Sequence, residues 1–381
     1  MKITVLSHNL STNAAMRAYR VALTARRFAE VTLIGPVEES RGHWPALRAE
    51  PWIVSVPERR LPKFAKSFLA LVDAAEGDVL IAVKPHLASF GVALVAAERR
   101  GVPVVLDMDD LDVSLAPREQ WDANPEMADP SRPASAIYVS LLTRAAGAAS
   151  AITVSSTALQ RRFGGTLLAH GSSIEVFNPA AVDRDDARAA FGFDGPTVLF
   201  PGTPRAHKGI ETLARAVAAI PGARLAVTCR PDKDLAEPEW RNFPLIRVPI
   251  VPYDAMPLLL AAADVVAIPQ SENEAATYQM PMKVYDAMAM GRPIVASSVS
   301  DLPLVLQGCG RVVPPDDVPA LATALSELLA DRDAAFALGQ RARARALQSY
   351  STERVAETLQ GVVANVTSRQ TRRPGRREVS S

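Results

Sequence analysis

The sequence predicts an α/β protein built from two doubly wound, mostly parallel sheets in tandem. Three observations lead there. At 381 residues the chain is longer than one ordinary core supports. Short continuous apolar runs, the kind that suit strands buried on both faces, alternate with helix-period stretches. The whole strand–turn–helix scheme then starts again after an interruption at 176–188, where Asn178-Pro179 precedes an acidic run.

Taken in order, residues 3–7 read as the first strand, 8–13 as a polar turn and 14–27 as a helix. A second strand is expected at 31–34 and a third at 78–83. A helix over 88–100 is closed by Gly101, and the next strand covers 102–106. The helical stretch 136–149 leads to a strand at 151–155. The second half repeats this order, with a strand at 197–200, a helix at 208–220 stopped by Pro221-Gly222, and a strand at 224–228. Helix 254–262, strand 264–268, helix 281–290 and strand 293–296 follow. Pro281 is placed at the start of its helix and Gly291 just past its end, the asymmetry expected of helix termini. Three more helices are expected at 318–329, 333–349 and 352–366. The domain boundaries read 1–178 and 179–350, with a crossover helix at 351–367 and a disordered basic tail at 368–381.

Apolar residues make up 48% and charged residues 22% of the chain, with a formal net charge of +1. That balance excludes a general attraction to nucleic acid or membrane. The exception is the tail, where Arg372, Arg373, Arg376 and Arg377 surround Pro374-Gly375. A solvated end and a peripheral contact with anionic lipid both fit it. No apolar stretch is long enough to span a bilayer, and MKITVLSHNL reads as a strand and not a signal peptide. Two cysteines, Cys229 and Cys309, in apolar or Gly-flanked surroundings suit buried thiols and a reducing cytoplasm. Nothing in the sequence specifies an oligomeric state.

Two segments carry the chemistry. In the turn 198–209, Gly202 lets backbone approach a ligand closely. Lys208 opens a helix beside the positive end of its dipole, and Arg205 adds a guanidinium able to grip two phosphate oxygens. In 278–293, Lys283 and Asp286 lie at i and i+3 on one helix face. A carboxylate there suits vicinal hydroxyls such as those of a ribose; a plain Lys283–Asp286 surface pair fits the same spacing. The amides of Met280 to Met282, ahead of the first helical hydrogen bonds, are expected to face phosphate oxygens. Two such helix ends on one crevice suit a diphosphate.

These segments, "PGTPRAHKGIETL" and "PMKVYDAMAMGRPIVAS", resemble the retaining nucleotide-sugar glycosyltransferases of family 4, which have the GT-B fold of two Rossmann-like domains facing a cleft. The resemblance covers nearly the whole length. It aligns Lys208-Gly209 with the family's Lys-Gly pair. Thr203 stands where the family usually has an arginine, so Arg205 is the guanidinium available. Asp286 stands at the second of two glutamate positions and Tyr278 at the first, with Glu272 and Glu274 nearby but out of register.

The resemblance implies a metal-independent, retaining transfer of a sugar from a nucleotide-diphosphate donor to an acceptor hydroxyl. No cofactor is implied beyond the sugar nucleotide. Arg205 and Lys208 would stabilise the leaving diphosphate. Gly202, Thr203, Tyr278, Met280, Pro281, Met282, Lys283 and Asp286 would bind the donor, with the base near Arg230 and 248–252. On the first domain, Ser11, Asn13, Lys84, Asp109 and His170 are the candidate acceptor or sugar contacts. Asp107, Asp109 and Asp110 after a strand also match the Asp-x-Asp metal signature of the GT-A fold, a competing reading. A GT-B nucleotide-sugar epimerase and an inactive sugar-nucleotide-binding relative compete with the transferase reading as well.

Overall fold

The computed structural model describes residues 1–47, 50–115, 124–205, 208–230, 234–235 and 237–371. It contains two wholly parallel sheets. The first has seven strands: β1 (Lys2–Leu6), β2 (Glu30–Val37), β3 (Ile53–Pro57), β4 (Val79–Val83), β5 (Val104–Met108), β6 (Ala151–Val154) and β7 (Thr166–Leu167). Their order is β3-β2-β1-β4-β5-β6-β7. The second has six: β8 (Thr197–Phe200), β9 (Arg224–Cys229), β10 (Leu245–Pro249), β11 (Val265–Ile268), β12 (Ile294–Ser297) and β13 (Arg311–Val313). Their order, β10-β9-β8-β11-β12-β13, repeats the first. In each sheet the direction of winding reverses between two central strands, β1/β4 and β8/β11. Ligands of open α/β sheets bind outside the strand C-termini at such points.

The central strands form because their residues are buried on both faces: β4, β5, β8, β11 and β12 are buried throughout. The edge strands β3 and β13 are partly exposed and carry no continuous apolar run. For that reason β3, β7, β10 and β13 lie beyond what the apolar pattern predicts, as does the helix over Phe64–Ala74. Gly101 closes the helix Val92–Arg100 in the left-handed region at φ 65°, where a Cβ is costly.

Three helices place the site. We label them α1 (Ala15–Ala25), which follows β1, α2 (Met282–Ala289), which precedes β12, and α3 (Thr352–Thr371), at the end of the described chain. One continuous apolar cluster joins Ala18, Val21 and Ala22 of α1 to Leu359, Val362 and Val363 of α3 and Met288 of α2. The helix that ends the second half therefore packs on the first. Ser172 pairs with Ser351 in an isolated parallel bridge at the crossing point. The helix at 352–371 runs further than the pattern predicts, and the basic residues 372–381 lie outside the described residues. Cys229 and Cys309 are buried free thiols. No helix among the described residues is long and apolar enough to cross a membrane.

Candidate active site

A cavity of about 640 Å³ lies between the strand C-termini of the two sheets. Its second-domain wall holds Arg205, Lys208 and Lys283, and its first-domain wall holds Lys84, Asp109, Asp110 and Asp112. The two walls carry opposite charge for structural reasons.

On the second-domain wall, Lys208 precedes its helix and its ammonium donates to the carbonyl of Thr203 at 3.3 Å. Lys283, in the first turn of α2, lies with its ammonium 5.0 Å from the Phe200 ring centroid. Among the described residues neither lysine has a carboxylate at ion-pair distance. Burial, then the charge of Arg205, lowers the Lys208 pKa to about 8. Burial, then Lys208, holds Lys283 well below the usual lysine value. Gly202 makes this possible: a Cβ there would lie 1.7 Å from the Lys283 Nζ. Gly209, at φ 61°, caps the following helix where a Cβ would strike the Pro269 carbonyl. Arg205 is exposed at the rim, while Ala206 and His207 lie outside the described residues.

The first-domain wall is built the opposite way. Lys84 follows β4 at φ 68°, a left-handed conformation that costs about 1–3 kcal/mol for a residue with a side chain. The Ser89 hydroxyl donates to its carbonyl and its own N–H donates to the Asp107 carbonyl, which hold it there. Its ammonium donates to Asp110 at 2.6 Å and Asp112 at 2.9 Å, and lies 3.2 Å from Asp109 Oδ1 without hydrogen-bond alignment. Burial opposes the Lys84 charge, yet the three aspartates outweigh it and raise its pKa well above the usual value. Burial lifts Asp109 to about 7 against the pull of Lys84. Burial also opposes ionisation of Asp112, but Lys84 and His86 hold its pKa well below the carboxylate range. His8 stacks on His86 at 3.9 Å; burial and then the charge of His86 push its pKa well down.

His170, after the last strand of the first sheet, is buried and accepts at Nδ1 from Arg17 at 2.9 Å. A guanidinium only donates, so the ring proton belongs on Nε2, which is buried at the cavity lining. Among the described residues it makes no hydrogen bond of normal geometry, though the Met280 backbone lies near enough to favour the protonated ring. Burial, then Arg17, keeps this imidazole neutral.

Several expected residues stand elsewhere. Asp107 is inside the first domain, where it takes two hydrogen bonds from Arg17 at 2.7 and 2.8 Å and one from Thr153. Ser11 is tied to the Gly42 carbonyl and the Glu38 amide and does not line the cavity. Tyr278 is also off the cavity, because its helix ends there and the chain turns extended; its ring packs under Arg162 and its hydroxyl accepts from that guanidinium at 3.2 Å. Gln279 lines the wall in its place and donates to Asp110 at 2.8 Å. Pro281 caps α2 but has no N–H, so the free first-turn amides belong to Met282 and Lys283.

Asp286 does not pair with Lys283. Its two oxygens accept from Arg20 of α1 and from Ser172 at 2.8 Å, a buried link between the domains. Each oxygen keeps further acceptor capacity. Asp286 also borders a second, smaller cavity of about 150 Å³ with Gly202, Thr203, Val251, Tyr253 and Leu260. Asn13 lines both cavities, and Met280, Pro281 and Met282 line the larger one. Arg230 lines neither and pairs with Asp234 at 2.7 Å.

Residues 195–331 match the family Glycosyl transferases group 1. The match falls on the second sheet and its helices. Among curated relatives, D-inositol 3-phosphate glycosyltransferase of Mycobacterium avium (strain 104) is 30% identical over 205 residues, 50% of this chain and 46% of that protein. The same-named protein of Mycolicibacterium smegmatis is 30% identical over 207 residues, with 50% and 44% covered. The chain thus spans about half the length of these relatives. Sucrose-phosphate synthase from Thermosynechococcus elongatus superposes with a TM-score of 0.70 at 19% identity, covering 97% of this chain and 100% of that one. Alr3699/HepE of Anabaena, solved with UDP and glucose, gives 0.69 at 15%, covering 96% and 100%. At these identities the structures establish the fold, GT-B.

Lys208, Lys283 and Gly202 are legible from local sequence. Arg17, Arg20, Gln270 and Gln279 are not. Arg17 and Arg20 sit in a helix where a surface position is the default, and only their partners 90 and 266 positions away show them buried. Gln270 is 3% exposed and lines the large cavity, and its Nε2 has no partner among the described residues.

Proposed function

We propose that this chain transfers a sugar from a nucleotide-diphosphate donor to an acceptor hydroxyl, with retention and without a metal. The observation that carries the reading is the pair Lys208 and Lys283, two ammonium groups without carboxylates on one cavity wall beside the first turn of α2. Unpaired half-buried cations are costly, and a diphosphate offsets that cost. As the bond from the anomeric carbon to the donor phosphate breaks and that to the acceptor oxygen forms, negative charge grows on the departing diphosphate. Lys208, Lys283, Arg205 and the Met282 and Lys283 amides stabilise it. The acceptor proton passes to the leaving phosphate oxygen on the same face, which gives retention without an enzyme base. The nucleoside fits the smaller, more apolar cavity, with Asp286 beside the ribose. Free buried thiols suit a cytoplasmic setting.

Thermal-shift screening of nucleotide sugars, UDP-glucose among them, identifies the donor by its stabilisation of the fold. Turnover of that donor is then followed with and without EDTA, and the anomeric configuration of the product is read by NMR. Lys208→Ala lowers turnover at least ~100-fold, the scale of losing one charge-stabilising group. A near-normal rate removes Lys208 from the mechanism; loss of activity in EDTA, an inverted product or release of an epimer removes the corresponding part of the reading.

A further inference from the structure

The first-domain wall of the large cavity has more acid than it has partners for. Asp109, Asp110 and Asp112 share the ammonium of Lys84, with only the Gln279 amide on Asp110 and His86 Nε2 3.5 Å from Asp112 Oδ1 beside it among the described residues. Asp109 Oδ1 and Asp112 Oδ2 are buried and accept no hydrogen bond from the described residues. Leaving such groups unpaired is costly, and a ligand that brings positive charge removes that cost with charge-assisted hydrogen bonds. A phosphate or carboxylate placed there meets like charge instead.

Two further side chains, His170 after β7 on the first-domain wall and Gln270 after β11 on the second-domain wall, show that the cavity is shaped for a polar ligand. Both residues line the cavity at 1% and 3% exposure, and among the described residues neither Nε2 has a hydrogen-bond partner. Both offer N–H donors suited to neutral hydroxyls. Asp112 also borders a second first-domain cavity of about 600 Å³ that includes Met127, Ala136 and Val139. There is room for an acceptor larger than one ring, with its charged part at the aspartates.

We propose that the acceptor carries a cationic amine, of the amino-sugar or aminocyclitol class, whose ammonium rests against Asp109 and Asp112. This rests on the transferase reading above for the word acceptor. The cavity then sorts its two substrates by charge, the anionic donor on the lysine wall and the cationic acceptor on the aspartate wall.

The test is calorimetric titration of the full chain, with and without UDP, by methyl glucosaminide, its neutral counterpart methyl glucoside, and methyl glucoside 6-phosphate. The amine is expected to bind at least about tenfold more tightly than the neutral sugar, the scale of a hydrogen bond to a charged group, and the phosphate more weakly than either. Asp112→Asn and Asp109→Asn, each checked for folding by circular dichroism, are expected to abolish the preference. Equal affinities, a preference for the phosphate, or no binding of the amine overturns the proposal. So does Mg²⁺ binding that displaces the amine, since the cluster is then a metal site. Loss of UDP binding with the amine preference intact strikes the donor reading and leaves this one standing.

Discussion

Lys208 and Lys84 show how the same residue type acquires opposite roles from its neighbours. Lys84 is surrounded by carboxylates and stays charged beyond the usual range, whereas Lys208 is half-buried beside Arg205 and its pKa falls to about 8. The ammonium is the anion-binding form, so the affinity for UDP is expected to fall as pH rises through about 8. Binding near that pH should also take up protons, because the diphosphate restores the charged form. Titration calorimetry in buffers of different ionisation enthalpy measures both; a pH-independent affinity with no proton uptake contradicts the assignment. In the free protein the same depression is a stability cost. It is full below pH 8, where folded and unfolded chains both carry the proton, and is relieved as pH climbs toward the ordinary lysine value. The lysines, Gly202 and the turn around them are legible in sequence because they are neighbours in sequence. Tyr278 is the counter-example. It occupies a position that the family resemblance assigns to the donor, but a helix end followed by extended chain turns its ring to the other domain and leaves Gln279 on the wall.

At the scale of elements, α1 and α2 are joined by charge as well as by packing. Arg20 also donates to the Gly171 carbonyl at 2.8 Å and lies over the Tyr253 ring, so its guanidinium is fixed on several sides. Removing one member leaves a buried charge without its partner. Arg20→Met is therefore expected to lower unfolding stability by about 3–5 kcal/mol, and Arg20→Met with Asp286→Leu by clearly less than the sum of the single changes. Urea unfolding of the four proteins completes the cycle; strict additivity means that the pair is not coupled. This link was beyond the sequence pattern. Helical spacing puts Lys283 within reach of Asp286 and says nothing of an arginine from the other domain.

For the whole molecule, α3 makes the domains interdependent. Leu359 is fully buried in the cluster that contains α1 and α2. Leu359→Ala is expected to cost about 2–5 kcal/mol, the range for emptying a large core site. The shared cluster predicts that the loss appears as one shifted transition; a change below about 1 kcal/mol, or two separate transitions, argues against the shared core. The two oppositely charged cavity walls belong to this scale too. Asp109 and Asp110 lie in one domain and Lys208 and Lys283 in the other, so the polarity of the cleft exists only when the strand C-termini face each other.

By itself, the sequence determined two parallel-sheet domains and a cationic turn and helix start in the second. Central strands need continuous apolar runs and anion sites need Gly and Lys in one turn, and both signals are local. The tertiary structure decided what depends on distant partners. It put Asp107 into the core with Arg17, gave Asp286 to Arg20, and drew three aspartates around one lysine. The physical reason is that the state of a buried charge is set by what surrounds it in space, and those surroundings come from residues far apart in the chain.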